Sequence, residues 1–157
     1  MAAKDGDGWI ECRCGGKHWG LNGAAGLLLY RDGKVMLQHR APWVHNGDTW
    51  GLPGGARDSH ESIQEAAIRE SVEETGIDPT HVEVVGLFSD DHSDWRYDTV
   101  IAKAHGDLDT ATWNPETHDI GWYEISEIQG LNLHPSFAKT WPTLKNLVTD
   151  LVASGSL

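Results

Sequence analysis

Apolar residues fall along this chain in short clusters divided by turn-forming residues, and the spacing inside each cluster assigns an element. WIECRC, from Trp9, places Ile10, Cys12 and Cys14 on one face and Glu11 and Arg13 on the other, the alternation of a half-buried strand. Residues Met1 to Gly8 read as a flexible polar leader, leaving 9–157 as a single domain. AAGLLLY, Ala24 to Tyr30, is a continuous apolar run that ends at Asp32-Gly33; with KVMLQHR after it, the Asp-Gly pair predicts a hairpin. Ala41 to Thr49 is a loop by its Pro, Asn, Gly and Asp, and TWGLPGG is a short extended piece broken by Pro53 and glycines.

The strongest helix follows. Ser62 and Glu65 form a capping-box pair, Ala66 and Ala67 favour helix, Gly76 suits a left-handed C-terminal cap, and Asp78-Pro79 prevents continuation. At about 100° per residue, Ile63, Ala67, Ile68 and Val72 occupy one arc, while Glu70, Glu73 and Glu74 bunch on a neighbouring arc. Val82 to Phe88 reads as a strand, SDDHSD as a loop, Trp95 to Ala104 as an alternating strand and GDLDTATWNPETHD as a polar connection. IGWYEI predicts a last strand, and Pro142 to Ala153 a terminal helix with Leu144, Leu147, Val148 and Leu151 at helical spacing. Strands on both sides of one central helix make the class α/β, with a mixed or antiparallel sheet.

Composition narrows the function. At 157 residues one domain is the simplest expectation, large enough to bury about 68–70% of its unfolded surface without staples. No apolar run reaches the roughly 18 residues of a membrane span, and MAAKDGDGW lacks a signal-peptide core, so a cytoplasmic location is expected. With 24 acids against 12 bases the net charge is −12, which argues against a nucleic-acid backbone as partner. Cys12 and Cys14, with His18 close behind, would need a fourth ligand to hold zinc, and no second cysteine pair exists; the strand alternation is the better reading.

The acidic arc raises a question of cost. Residues three and four apart on a helix are neighbours, so Glu70 faces Glu73 and Glu74, each like-charged pair costing about 0.2–0.5 kcal/mol. A solvated face tolerates that. A divalent cation would offset it, since Mg2+ takes one or two protein carboxylates and fills its shell with water and phosphate oxygens. Mutual repulsion would raise at least one of these pKa values without metal, so metal affinity is expected to fall with pH.

The stretch Gly55 to Ile77, GARDSHESIQEAAIRESVEETGI, decides between these readings. It resembles the signature of the Nudix hydrolase family (MutT-like): Gly, five residues, Glu, seven residues, Arg-Glu, an aliphatic, any residue, Glu-Glu, any residue, Gly, aliphatic. Gly55, Glu61, Arg69, Glu70, Glu73, Glu74, Gly76 and Ile77 match in register. At ordinary residue frequencies, seven fixed positions coincide by chance roughly once in several hundred million windows. Ser71 departs, standing where the signature has an aliphatic, and looser packing is expected there.

The resemblance implies the family's fold, a mixed β-sheet sandwiched between α-helices, and metal-dependent cleavage of a diphosphate linkage. It implies Mg2+, with Mn2+ an expected substitute, held by the Gly54 carbonyl, Glu70, Glu73 and Glu74. Glu70 is the favoured general base with Glu73 beside it, and Glu61 and Arg69 pair to hold the loop over the helix. A further acid often comes from outside the box; Glu116 and Asp119 are candidates, though loop solvation is the simpler reading of each. Arg40, Trp50 and Gly55 are candidate substrate contacts. The eight tryptophans invite base stacking, yet most are expected in the core or on sheet faces.

Within the family, DTWGLPGG resembles what precedes the box in members acting on nucleoside triphosphates, including those that remove oxidised guanine nucleotides. The expected function is hydrolysis of a nucleoside diphosphate derivative, foremost a (d)NTP or modified nucleotide cut to NMP. ADP-ribose or nucleotide-sugar hydrolysis is the alternative, weakened because His92 stands where many ADP-ribose enzymes carry proline and because no NADH or coenzyme A signature is present. A nucleotide-sensing module without turnover is a further alternative, opposed by the intact box. Isopentenyl diphosphate isomerase shares the fold but needs a cysteine after the hairpin, and Cys12 and Cys14 precede the core strands. The sequence leaves the oligomeric state open; a homodimer is compatible with it.

Overall fold

The computed structural model describes residues 5–106, 108 and 117–157. In chain order it forms β1 (Trp9–Glu11), β2 (Lys17–Trp19), β3 (Ala24–Arg31), β4 (Lys34–Arg40), β5 (Trp50–Gly51), β6 (Gly54–Ala56), α1 (Ile63–Thr75), β7 (Val82–Asp91), β8 (Arg96–Ala104), β9 (Thr117–Glu124), α2 (Ile125–Ile128) and α3 (Pro135–Ala153).

The Asp32-Gly33 turn forms as expected, both residues having positive φ (49° and 83°), the backbone that right-twisted hairpins require. Beyond the turn β3 and β4 pair only at Tyr30–Val35 and Arg31–Lys34. One full edge of β3 is taken by β8 in parallel and one full edge of β4 by β9 in antiparallel register. The strands therefore fork, and the segment from Trp50 to Ala56 fills the fork: β5 bonds to Gln38 and His39 of β4, and β6 bonds to Ala24–Gly26 of β3. The wedge is fixed by the Leu27 N–H donating to the Pro53 carbonyl at 2.9 Å. With β7 antiparallel to β8 this completes, among the described residues, a mixed seven-stranded sheet.

Alternation along β3 supplies both faces. Ala25, Leu27 and Leu29 pack with Met36, Val100 and Ala102 against Ala66, Ala67 and Ile77 on the α1 side. Leu28 and Tyr30 pack with Val35, Leu37 and Ile101 against Phe137, Trp141, Leu144 and Val148 of α3. A strand buried on both faces is why AAGLLLY is continuously apolar. The sheet sandwiched between helices is thus observed.

Three local expectations are corrected. The final helix begins at Pro135, with Pro142 inside it. An interior proline costs roughly 3 kcal/mol and reads as a start, but Phe137 and Trp141, upstream of it, are buried on the sheet and carry the helix through. Strand β7 runs on to Asp91, because polar SDD pairs with Arg96–Asp98 across the hairpin, where an apolar pattern gives no signal. WIECRC is a strand only to Glu11; the chain turns at Cys12–Gly16, the Cys12 N–H donating to the Gly16 carbonyl at 3.0 Å, and returns as β2. Ahead of β1, the Gly6 N–H donates to Asp58 at 2.9 Å, Ser59 N–H to Asp5 at 2.7 Å, and Leu21 N–H to the Gly6 carbonyl at 2.7 Å.

Candidate active site

Helix α1 is set by its ends. Ser62 Oγ accepts from the Glu65 N–H at 3.1 Å while the Glu65 carboxylate accepts from the Ser62 N–H at 3.0 Å; Gly76, at φ 72°, closes the C-terminus. Its close approach to the sheet is made by small residues, Ala66, Ala67 and Ser71, all fully buried. Ser71 is not loosely packed as expected: it has no exposed surface, and its hydroxyl donates to the Ala67 carbonyl at 2.7 Å.

This rotation turns the acids toward β6. Arg69 organises them. Its Nε and Nη2 grip Glu61 at 2.6 and 2.8 Å in a two-pronged pair, Nη2 also donates to the Ala56 carbonyl at 3.2 Å, and Nη1 reaches Glu70 at 3.0 Å and Glu73 at 3.4 Å. Glu61 is buried and further held by the Asp58 N–H at 3.0 Å; the Arg69 bonds keep its carboxyl below the usual range, and Glu61 in turn keeps the guanidinium firmly protonated. The expected Glu61–Arg69 pairing is therefore present, and it ties the loop before α1 to the helix.

Glu74 is buried and takes a long bond from the Gly54 N–H, 3.4 Å. Glu70 lies against Gly55, whose missing side chain makes room for it: a Cβ there would stand 2.6 Å from the Glu70 carboxyl carbon. Glu73 is the most exposed of the three, at 37%. Glu70 and Glu74 face the glycine pair, and Glu73 reaches Arg69 one turn earlier on the helix; three such carboxylates are a donor set suited to a hard divalent cation. Gathering them on one ion would exchange Glu70 and Glu73 from Arg69, and Glu74 from Gly54, to the cation.

The NUDIX domain family model matches residues 20–147. The chain belongs to the Nudix family. A Mycobacterium tuberculosis (strain ATCC 25618 / H37Rv) protein named "Putative 8-oxo-dGTP diphosphatase 3" is 46% identical over 152 residues, covering 90% of this chain and 70% of that protein. A Bifidobacterium longum (strain NCC 2705) nucleoside triphosphate pyrophosphatase/Nudix hydrolase fusion protein is 41% identical over 158 residues, covering 95% of this chain and 33% of the fusion. The crystal structure of a Nudix hydrolase from M. smegmatis, RenU, superposes with TM-score 0.85 at 39% identity, covering 93% of this chain and 97% of that one. The protein is a Nudix hydrolase with the fold and MutT-like character its box implied. Among the described residues no helix is long and apolar enough to cross a membrane.

The remaining candidates of this Nudix hydrolase scatter. Arg40 ends β4 and donates to the His45 carbonyl through Nε and Nη2, at 3.2 and 2.9 Å; its charge also acts on Tyr97 and His134. Trp50 stacks on His39 (4.6 Å between ring centroids), meets Tyr123 edge-on at 5.1 Å and packs with the α3 side of the sheet, whereas α1 lies on the other side. Asp119 is exposed on β9, its carboxylate accepting from its own neighbour, the Ile120 N–H, at 2.8 Å. Glu116 lies outside the described residues.

Two site residues escaped the sequence reading. Asp58, inside the five-residue spacer of the box, is buried with its carboxylate 3.6 Å from Arg69. Its signal was its place between Gly55 and Glu61 in a loop that must fold tightly. Tyr97 sits on β8 beside Gly26, and enclosure, together with the charges of Glu74 and Glu70, holds its phenol above the ordinary range. Nothing in the alternation of β8 marks it out.

Proposed function

We propose that this Nudix hydrolase is a Mg2+-dependent pyrophosphohydrolase that cuts a (d)NTP, foremost a modified purine nucleotide, to NMP and pyrophosphate. The observation that supports it is the Arg69 grip on Glu61, which fixes the acidic turn of α1 beneath Gly54 and Gly55. The substrate rests on likeness to a relative named for 8-oxo-dGTP and on the DTWGLPGG segment.

Glu70, Glu73, Glu74 and the Gly54 carbonyl would hold Mg2+, with Mn2+ able to replace it. When bound, such an ion neutralises phosphate oxygens and lowers the pKa of bound water. Glu70 takes the proton of the attacking water as its oxygen bonds to phosphorus and the anhydride P–O bond breaks, leaving pyrophosphate and NMP. Gly55 lets the phosphate chain approach the backbone, and Arg40 offers its guanidinium to it. The work is positioning and charge neutralisation, which suits a site with several acids and one well-held arginine.

A nucleotide panel with Mg2+, Mn2+ or EDTA tests this, products being resolved by chromatography. NMP and pyrophosphate from triphosphates, only with divalent metal, is the expected result. Activity confined to ADP-ribose or nucleotide sugars would replace the substrate, and metal-independent turnover would replace the mechanism.

A further inference from the structure

Cys12, Cys14 and His18 bring one ligand atom each to within 4.8 Å of one another, although they lie on a turn and on the strand that follows. Cys14 Sγ stands 3.1 Å from His18 Nε2, so that ring nitrogen already faces the sulfur. Gly16 leaves the space between them open: a Cβ there would be 3.3 Å from His18 Nε2 and 3.5 Å from Cys14 Sγ. A candidate fourth ligand lies next to this group of three, a histidine 74 positions along from His18. His92, in the β7–β8 turn, has its ring centroid 4.7 Å from that of His18, and Cys12 Sγ donates to the His92 carbonyl at 2.7 Å.

We infer that Cys12, Cys14, His18 and His92 form a structural zinc site, separate from the glutamates of the Nudix box, that clamps the β1–β2 hairpin to the β7–β8 turn. Two thiolates and two imidazoles are a zinc donor set. Bonds of about 2.0–2.3 Å put neighbouring ligand atoms roughly 3.3–3.8 Å apart, so Cys12, Cys14 and His18, already within 4.8 Å of one another, need contract by no more than about 1–1.5 Å, and the His92 ring has to swing in to join them. His92 Nε2 pairs with Asp90 at 3.0 Å, which leaves Nδ1 to ligate and provides the carboxylate that commonly orients a metal-bound imidazole. Trp95 stacks flat on His18, 4.3 Å between centroids and 6° between planes, fixing the second ring.

The clamp has something to do. Across the same junction the Arg13–Asp94 pair is exposed on the arginine side, 79%, and such pairs contribute little. The hairpin's other end reaches the 41–49 loop, where Trp9 meets His45, the residue whose carbonyl holds Arg40. Fastening the hairpin therefore also steadies the loop beside Arg40.

The other tight group, Asp58, His60 and Glu61, has both its carboxylates committed to Arg69 and to backbone N–H groups, and is explained by that.

The test is elemental analysis of the purified full chain, followed by cobalt substitution. Wild type is expected to carry about one zinc per chain, and Co2+ in its place should show thiolate-to-cobalt charge transfer with tetrahedral ligand-field bands. The Cys12→Ser/Cys14→Ser pair and His92→Ala should lose zinc, and Asp90→Asn should bind it about 10–100-fold more weakly. Glu70→Gln should keep it, which separates this site from the proposed catalytic one. A wild-type chain that neither carries zinc nor takes up Co2+ as thiolate would overturn the inference without any variant having to fold. So would full zinc retention in the cysteine pair or in His92→Ala.

Discussion

The carboxyl carbon of Glu70 would lie 2.6 Å from a Cβ on Gly55, so these two residues fit only because one has no side chain. Gly55→Ala must therefore move either the β6 backbone or the Glu70 carboxylate. The strand is pinned to β3 on one side, so the carboxylate gives way. We expect kcat to fall about 100-fold, as misplacements near 1 Å do, and stability to fall by about 1–3 kcal/mol from overpacking. Glu70→Gln keeps the shape and an acceptor for Arg69, and should lower kcat by about 10²–10⁴ while leaving the melting temperature close to wild type. Steady-state kinetics alongside thermal denaturation reads both; a Glu70→Gln enzyme with normal kcat removes the general-base assignment.

Arg69 and Glu61 should matter more to stability than any other ion pair described here. Removing one partner of a buried pair costs about 3–5 kcal/mol; Arg69 is 25% exposed, and solvent screening discounts this to about 2–3 kcal/mol for Glu61→Ala. Arg69→Lys keeps the charge but not the fork, and should recover less than half. Arg13→Ala in the exposed pair with Asp94 should leave the urea midpoint close to wild type. Urea denaturation of the three variants ranks them; equal midpoints for Glu61→Ala and Arg13→Ala would contradict the assignment. The pair also has a pH signature. The Glu61 carboxyl is held below its ordinary value, chiefly by Arg69, so its contribution is complete above the unfolded value and disappears as pH falls through the lower folded one. The acid limb of stability against pH should flatten in Glu61→Gln.

Ser71 gives a prediction of opposite sign to the family pattern. Restoring the aliphatic of the signature would ordinarily count as a stabilising consensus change. Ser71 is fully buried between α1 and the sheet with its hydroxyl satisfied, so Ser71→Leu should destabilise by about 1–3 kcal/mol, measured by denaturant midpoint.

What was legible in the sequence follows from which forces are local. The capping box, the Gly76 cap and the Asp32-Gly33 turn are decided by residues within four positions of each other, and all three form. The acidic turn was visible because a 23-residue box has fixed spacing. What was hidden depends on pairings between distant strands. The fork between β3 and β4, which carries Gly54 and Gly55 under α1, arises because β9 and β8 each claim a full edge, and no local pattern records that. Tyr97 reaches Glu70 and Glu74 through the parallel pairing of β3 with β8. The same reason hides His92 as a neighbour of Cys12: SDDHSD reads as a loop, and nothing local in it records what packs against it.

His134 carries the last prediction, a loss of stability in mild acid. It caps α3, Nδ1 accepting from the Ser136 N–H at 3.2 Å, and its Nε2 meets Asn46 of the 41–49 loop at 3.3 Å. Backbone bonds between His134 N–H and Trp50, and between Trp50 N–H and Asn132, both 2.8 Å, hold the same junction. Burial, with the charges of Arg40 and His45, lowers its pKa to about 4. A histidine with a depressed folded pKa binds fewer protons folded than unfolded, so its contribution is complete above the unfolded value of about 6.5 and is lost progressively as pH falls toward 4. Partial exposure discounts the full shift, leaving about 2 kcal/mol across that window. Protonated Nδ1 can no longer accept the cap bond, so the first turn of α3 and the loop holding Arg40 should loosen together. An NMR titration should place the His134 imidazole near pH 4, and His134→Asn, which keeps a capping acceptor without the titration, should remove that part of the pH dependence of the urea midpoint. An unshifted His134 resonance, or an unchanged slope in His134→Asn, would show that the junction does not sense protons.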